Sequence, residues 1–410
     1  MTKSKCRFCN ESLKISFVDL GLTPLSNSFL NEQDLKKKEK QYPLHAYICE
    51  KCLLVQLEEV EKPEHIFSKY AYFSSYSKTW LEHAKKYSEL MISKLKLNES
   101  SQVIEIASND GYLLQFFKKR KIPVLGIEPA LNVAKVAQEK NISTILKFFG
   151  TKTAKELTKK GIFADLLLGN NVLAHVPDVN DFVKGMKIIL KKQGVITMEF
   201  PHILQLIKNY QFDTIYHEHF SYFSFQTVQK IFSYHKLKIF DVEELSTHGG
   251  SLRIYAKHEE DETKAITDNI QILNQKEMDF GCNDIEKYTK FQVIVDKIKD
   301  DLKNFFEEAK NDKKKIIGYG APAKGNTLLN YCKFNNNFME FTVDMSEHKQ
   351  GLFLPGTHIP IYNPDKIKDV KPDYIFILPW NLKNEIMTQL KYIRKWGGKF
   401  VIPIPEVKIL

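Results

Sequence analysis

Two Cys-x-x-Cys pairs near the start, Cys6-Arg-Phe-Cys9 and Cys49-Glu-Lys-Cys52, limit what this chain can fold into more than any other stretch. Each pair bends the backbone into a knuckle that aims two thiolates at one ion, and two knuckles complete a tetrahedral four-sulfur site. Because Cys6, Cys9, Cys49 and Cys52 fill all four positions, no place is left for water or substrate. Structural Zn2+ is therefore expected, with redox-active or unligated cysteines as the alternatives. Residues 1–62 form a small metal-stapled lobe, in which Asp19-Leu-Gly-Leu-Thr-Pro-Leu-Ser-Asn-Ser-Phe gives turns and short strands. Six cysteines in 410 residues, four of them paired by spacing, do not make a disulfide scaffold.

From Val103 the sequence alternates strand and helix. Val103-Ile-Glu-Ile-Ala-Ser-Asn-Asp-Gly-Tyr-Leu-Leu is a short β run, a turn of small residues and a helix start; Val124-Leu-Gly-Ile-Glu-Pro-Ala is a second strand ending in Glu128. In a doubly wound sheet the first turn lets the backbone approach a ligand, and the acid after the second strand accepts from ribose hydroxyls. Ala107, Ser108 and Gly111 stand where a dinucleotide fingerprint has three glycines. With no second glycine for a pyrophosphate to lie against, a nucleoside without phosphates fits better, and S-adenosylmethionine is the common one. The apolar runs beginning at Asp165 and Val195 break into polar groups at their carboxyl ends. Asn170, Asn171, His175 and Glu199 are thus expected to face the crevice of Glu105 and Glu128, although a lone histidine such as His175 is more often structural.

Between the zinc lobe and this sheet, the segment from Tyr70 to Tyr87 opens with aromatics and hydroxyls. It becomes a helix to about Leu95, with Trp80, Ala84, Tyr87 and Met91 at helical spacing. Packing accounts for most of these aromatics, and Tyr76 is the candidate for reaching a ligand.

After the sheet comes Asp213-Thr-Ile-Tyr-His-Glu-His-Phe-Ser-Tyr-Phe-Ser, ending at Ser224. It places two imidazoles, two carboxylates, two phenols and three aliphatic hydroxyls in twelve residues without helical or alternating periodicity. Such a loop supplies a proton acceptor near neutral pH and donors for a developing oxyanion, as removal of a proton next to a carbonyl requires. A polar surface loop with incidental histidines is the alternative. If the loop were extended, His217 and His219 would point to one side and Glu218 to the other.

Residues 263–310 carry apolar positions at helical intervals, among them Phe291, Val295, Ile298 and Leu302, and give a helical connector, as a solvated rod or a dimerisation helix. A second α/β unit over 311–410 opens with Lys315-Ile-Ile-Gly-Tyr-Gly-Ala-Pro-Ala-Lys-Gly-Asn. Gly318, Gly320 and Gly325, with Lys324 at a helix start, suit a phosphate-bearing ligand; strand-to-helix packing is the other use of such a turn.

Length suggests two or three domains, and 43% apolar with 27% charged residues describes a soluble globular chain. No run of 18 apolar residues and no apolar leader is present, so a cytoplasmic protein without membrane contact is expected. The net charge of +10 is spread along the chain in short lysine groups with no recognition motif, so nucleic acid is not an expected partner.

These stretches together resemble the S-adenosylmethionine-dependent C-methyltransferases of deoxysugar biosynthesis, which act on nucleotide-linked 4-keto sugars. The likeness covers nearly the whole chain. It rests on the cysteine knuckles, Tyr-Phe-Ser-Ser-Tyr-Ser, Glu-Ile-Ala-Ser-Asn-Asp-Gly, Asn-Asn-Val-Leu-Ala-His-Val-Pro-Asp, Tyr-His-Glu-His-Phe-Ser-Tyr-Phe-Ser, Lys-Gly-Asn-Thr-Leu-Leu-Asn, His-Lys-Gln-Gly and Leu-Pro-Gly-Thr. The resemblance implies an α/β fold with a small N-terminal four-cysteine zinc lobe, a central Rossmann-like methyltransferase sheet over 63–262 and a C-terminal Rossmann-like lobe that helps hold the sugar nucleotide. It implies His219 as the base, with Tyr216, Glu218 and His175 beside it. Cofactor contacts would fall on Glu105, Ala107, Ser108, Gly111, Glu128 and Asn170. Substrate contacts would fall on Tyr76, Asn171, Tyr222, Lys324, Asn326, His348 and Lys349. A monomer acting on a small molecule is expected. An O- or N-methyltransferase, a nicotinamide-dependent keto-sugar enzyme and a zinc-ribbon nucleic-acid-binding protein are the alternatives.

Overall fold

The computed structural model describes residues 4–67 and 73–410; the first aromatics of the Tyr70 segment, residues 70–72, lie outside them. Contacts gather the chain into two compact units of interleaved segments. The first holds the described residues through Leu13, Cys49–Ile203 and Phe220–Asn283; the second holds Lys14–Ile48, Leu204–His219 and Asp284–Leu410. Consecutive lobes are expected from the sequence, whereas the chain between the cysteine knuckles folds with the second unit.

The first unit is built on a seven-stranded sheet. In chain order its strands are β1 (Val103–Ile106), β2 (Val124–Ile127), β3 (Thr144–Ile145), β4 (Ala164–Asn170), β5 (Leu190–Pro201), β6 (Leu237–Leu245) and β7 (Ser251–His258). They lie in the order β6-β7-β5-β4-β1-β2-β3. Strands β1 to β5 run parallel; β7 pairs antiparallel with β5 and β6 antiparallel with β7. All four residues of β1 are buried, as a strand covered on both faces requires. The winding reverses between β1 and β4, and ligands of such sheets bind beyond the strand ends at that point.

Helix α1 (Lys78–Leu95) is N-capped by Ser77, whose hydroxyl accepts from Trp80 N, and ends on Lys96 in the left-handed region. Of the expected stripe it buries Ala84, Tyr87 and Met91, with Ser88 beside them, while Trp80 is half-buried. Tyr87 places its hydroxyl 2.5 Å from Thr197 Oγ1 of β5, which fixes the helix on the sheet.

The second unit has a six-stranded sheet of β8 (Ile316–Tyr319), β9 (Thr342–Val343), β10 (Ile361–Tyr362), β11 (Tyr374–Ile377), β12 (Lys399–Ile402) and β13 (Lys408–Ile409). Their order is β10-β9-β8-β11-β12-β13, parallel except for β13. An antiparallel hairpin of Ile15–Thr23 and Tyr42–Ile48 belongs to the same unit. There Phe17 stacks on Phe291 at 4.8 Å.

Where spacing suggests one connecting helix, three stand: Asn269–Phe280 in the first unit, then Ile285–Thr289 and Phe291–Asn311 in the second. Gly281, at φ +89°, ends the first of them in a conformation that side chains disfavour. Phe291, Val295, Ile298 and Leu302 are all buried on the last. Among the described residues no helix is long and apolar enough to cross a membrane. The expected α/β architecture with two Rossmann-like sheets and an N-terminal four-cysteine cluster is borne out, with residues 14–48 between the knuckles folded into the second unit.

Candidate active site and metal centre

The sulfurs of Cys6, Cys9, Cys49 and Cys52 lie within 4.8 Å of one another. Each knuckle closes on the residue after its second cysteine: Asn10 N donates to Cys6 O, and Leu53 N to Cys49 O. Asn10 and Leu53 both sit at φ +64° to make that turn. Gln56 Nε2 donates to Cys6 Sγ at 3.2 Å. Four converging thiols with an outer amide donor have the chemistry of a closed zinc site, and these four would hold the ion.

In the crevice beyond β1 the chain turns sharply, with Ala107, Asn109 and Gly111 all at positive φ. Gly111, at φ +73°, holds a conformation that side chains disfavour, and a Cβ there would also displace the end of the Ile142 side chain. Glu128 reaches back from β2 to accept from Asn109 N and, beside its own strand end, from Ala130 N, both at 2.9 Å. Burial pushes its carboxyl up to about 7. Neither oxygen of Glu105 has a hydrogen-bond partner among the described residues, and burial, with Glu128 and Asp110 nearby, holds its pKa well above the usual range. Ser108 Oγ is likewise buried without a partner. A crevice with unsatisfied acceptors at one end and a clamped carboxylate at the other fits S-adenosylmethionine, whose ammonium and ribose hydroxyls are donors.

Other expected residues collect in this unit. Asn170 ends β4, and Asn171, at φ +55°, donates its N–H to Glu199 O at 2.8 Å. His175 is half-buried on a short helical turn, Leu173–His175. Ser74 N donates to Asn109 Oδ1, and Ser75 to Asp110, which ties the turn carrying Tyr76 to the cofactor crevice. Tyr76 is 63% exposed and stacks on Phe73. Tyr222, buried, lies on a two-residue strand that pairs with Val55–Leu57.

Sequence reasoning placed Glu199 in the crevice but missed its partners. Arg253 on β7 donates to Glu199 Oε1 through Nε at 2.7 Å and Nη2 at 2.5 Å, and His83 Nε2 lies 2.9 Å from Oε2. Burial alone would raise this carboxyl; His83 and Arg253 hold it below the usual range. Arg253 is mid-strand in an apolar run, the one signal that could have marked a buried charge pair.

The loop with Tyr216, Glu218 and His219 belongs to the second unit. It is not extended: Phe212–Thr214 forms a helical turn, and His219 N donates to Tyr216 O at 2.8 Å. His217 and Glu218 are buried, and His219 and Tyr216 half-buried. His219 Nδ1 lies 2.9 Å from the Thr214 carbonyl oxygen and Nε2 2.8 Å from the Tyr216 hydroxyl. A carbonyl only accepts, so Nδ1 carries the hydrogen. In the neutral ring Nε2 then keeps its lone pair, and the Tyr216 hydroxyl donates to it. A backbone carbonyl, and not the neighbouring Glu218 carboxyl, thus holds Nδ1. The Glu218 carboxyl, which burial pushes up to about 7, accepts from Asn27 instead.

The Gly-rich turn after β8 is tightly occupied. A Cβ on Gly320 would lie 2.6 Å from Pro379 Cδ, and one on Gly325 3.0 Å from Leu378 Cβ, so these glycines let the turn pack on the end of β11. Asp344, after β9, accepts from Ala321 N at 2.7 Å and from Ser346 N at 2.8 Å. Glu128 makes the same two bonds in the other sheet, and that parallel could have identified Asp344 from sequence. Lys324 donates to Asn381 Oδ1 at 2.6 Å and lies over the Trp380 ring, and burial lowers its pKa. Asn326 is buried and donates to Ser26 O. Lys349 donates to Ala321 O at 2.9 Å, and His348 is exposed.

Known families match along the whole chain. A zinc binding domain pattern matches residues 6–67, a methyltransferase domain pattern residues 80–239, and a C-methyltransferase C-terminal domain pattern residues 246–405. The C-methyltransferase NovU of Streptomyces niveus is 32% identical over 406 residues, 99% of this chain and 96% of the relative. A ubiquinone biosynthesis O-methyltransferase of Bartonella tribocorum is 29% identical over 102 residues, 24% of this chain and 40% of the relative. Among solved structures, an S-adenosylmethionine-dependent methyltransferase from Clostridium acetobutylicum aligns over 43% of this chain and 92% of its own, with 11% identity and a TM-score of 0.35. Similarity that runs from the first cysteine knuckle through the last strands marks common descent of the entire architecture, and the chain belongs to the S-adenosylmethionine-dependent C-methyltransferase family with a zinc-binding domain.

Proposed function

We propose that the enzyme methylates the carbon next to the ketone of a nucleotide-linked 4-keto sugar, with His219 as the base. The single observation that supports this most is the Thr214–His219–Tyr216 chain, which fixes the hydrogen on Nδ1 and leaves the basic lone pair on Nε2, held by the Tyr216 hydroxyl. A ketone acidifies its neighbouring C–H; once the Tyr216 hydroxyl turns from Nε2 to the ketone oxygen, the freed Nε2 lone pair accepts that proton. The imidazolium that results keeps its Nδ1–H on the Thr214 carbonyl. The electron pair left behind delocalises onto the ketone oxygen, where a phenol such as Tyr216 can donate to it. When bound, S-adenosylmethionine supplies an electrophilic methyl group on a sulfonium. Tyr76, Asn171, His175 and Tyr222 are substrate contacts in this proposal, with Lys324, Asn326, His348 and Lys349 on the nucleotide.

The test is a panel of nucleotide-linked sugars incubated with methyl-labelled S-adenosylmethionine. Label is expected on 4-keto sugars and not on their 4-hydroxy counterparts. Equal labelling of both would point to a hydroxyl as the acceptor and sink the enolate scheme.

The crevice acids give a second expectation. Glu128 has an ordinary value of 4.5 and stands at about 7 in the fold. Because its folded value is raised, its contribution to stability is complete below about 4.5 and is lost as pH rises through about 7. A ligand that donates hydrogen bonds to Glu128, or brings positive charge near Glu105, favours their ionised forms. Binding of S-adenosylmethionine near pH 7 should therefore release protons. Calorimetry in buffers of different ionisation enthalpy measures this directly; a heat independent of buffer would contradict it.

A further inference from the structure

We propose that Asn27 is a positioning residue for Glu218, fixing the carboxylate of the catalytic loop from a strap anchored on the C-terminal sheet's own loops. The proposal rests on the reading of that loop given above. Asn27 Nδ2 donates to Glu218 Oε1 at 2.6 Å, across 191 positions of sequence. The amide is held in place by its neighbours on both sides. Asn326 Nδ2 donates to the Ser26 carbonyl at 2.6 Å. Leu30 and Phe353 exchange backbone hydrogen bonds of 3.0 and 2.8 Å, and Lys349 Nζ lies 5.2 Å from the Phe29 ring centroid. Ser26 and Asn326 are 3% and 1% exposed, so this anchoring is internal. Asn326 and Lys349, expected from sequence to touch the substrate, thus also support the segment that reaches Glu218.

Glu218 is only 5% exposed, and a buried carboxylate needs donors. Asn27 supplies one from the strap and Lys349 a positive charge from the loop after β9; His217 and His219 flank it on its own loop. Burial raises the carboxyl, and Asn27 and Lys349 work against that rise. Loss of the amide should free the side chain to rotate and move its titration upward.

The experiment compares Asn27→Ala and Asn27→Ser in the full chain, with Glu218→Gln to assign the carboxyl band in infrared difference spectra. Asn27→Ala is expected to raise the Glu218 midpoint by about one pH unit, the scale of one lost hydrogen bond to a charged group, and to lower kcat about tenfold. Asn27→Ser, which keeps a shorter donor, should recover part of both and serves as the readout if Asn27→Ala does not fold. Asn27→Ala added to Glu218→Gln should cost little beyond Glu218→Gln alone. An unmoved midpoint with an unmoved pH profile, or full additivity of the two losses, would overturn the proposal. If the wild-type enzyme methylates no 4-keto sugar, the functional reading fails while the infrared midpoint still decides the role of Asn27.

Discussion

His219→Ala is expected to slow methyl transfer by about 10²–10⁴-fold, the range a positioned general base contributes. Exchange of the hydrogen on the carbon next to the ketone with solvent deuterium should be lost with it, since both need the same proton removed. Binding of S-adenosylmethionine should stay nearly unchanged, because in this proposal the cofactor is held by Glu105, Glu128 and the turn between them, and His219 is not one of its contacts. Tyr216→Phe separates two contributions: it removes the donor at Nε2 but leaves Nδ1 on the Thr214 carbonyl, so exchange should be slowed rather than abolished. Exchange retained in His219→Ala would mean that another group is the base.

Cys49→Ser is expected to act on folding instead of chemistry. Closed zinc sites in isolated fingers contribute about 10–16 kcal/mol of apparent binding energy. Even a part of that, at roughly 2–4 °C per kcal/mol for units of this size, lowers the thermal midpoint by about 10 °C or more. Metal analysis of the wild-type protein should find one zinc per chain, and the variant should lose it together with soluble yield. Cys49 is fully buried, and its sulfur lies 3.4 Å from that of Cys9. A soluble variant with an unchanged midpoint and no activity would instead assign the metal a catalytic part.

What could be read without coordinates was local. Paired cysteines, an apolar run ending in small residues, and an acid after the next strand each operate within a few positions, where residue type dictates backbone. Hence Cys6 to Cys52 converge as expected, and Glu128 meets the turn after β1. What escaped depends on distant partners. Asn27 is unremarkable beside Ser26 and Ser28 until Glu218, 191 residues on, is seen to accept from it. Arg253 sits between apolar residues in the Leu252-Arg-Ile-Tyr255 run, and its charge is explained only by Glu199 and His83, distant in sequence. Gly320 has the spacing of a phosphate-binding turn, yet Pro379 occupies the space its missing side chain leaves. The loop at 213–219 shows its functional groups in its composition, but its turn, which sets which histidine is buried, is fixed by backbone bonds that composition does not encode.

Carbon methylation is tested most directly by following a 13C-labelled methyl group from S-adenosylmethionine into a nucleotide-linked 4-keto sugar and recording the product's carbon spectrum. One-bond coupling between the new methyl and a 13C-enriched ring carbon beside the ketone is the expected result. A methyl signal shifted to the range of an ether, without that coupling and with the ring hydrogen still in place, would contradict it.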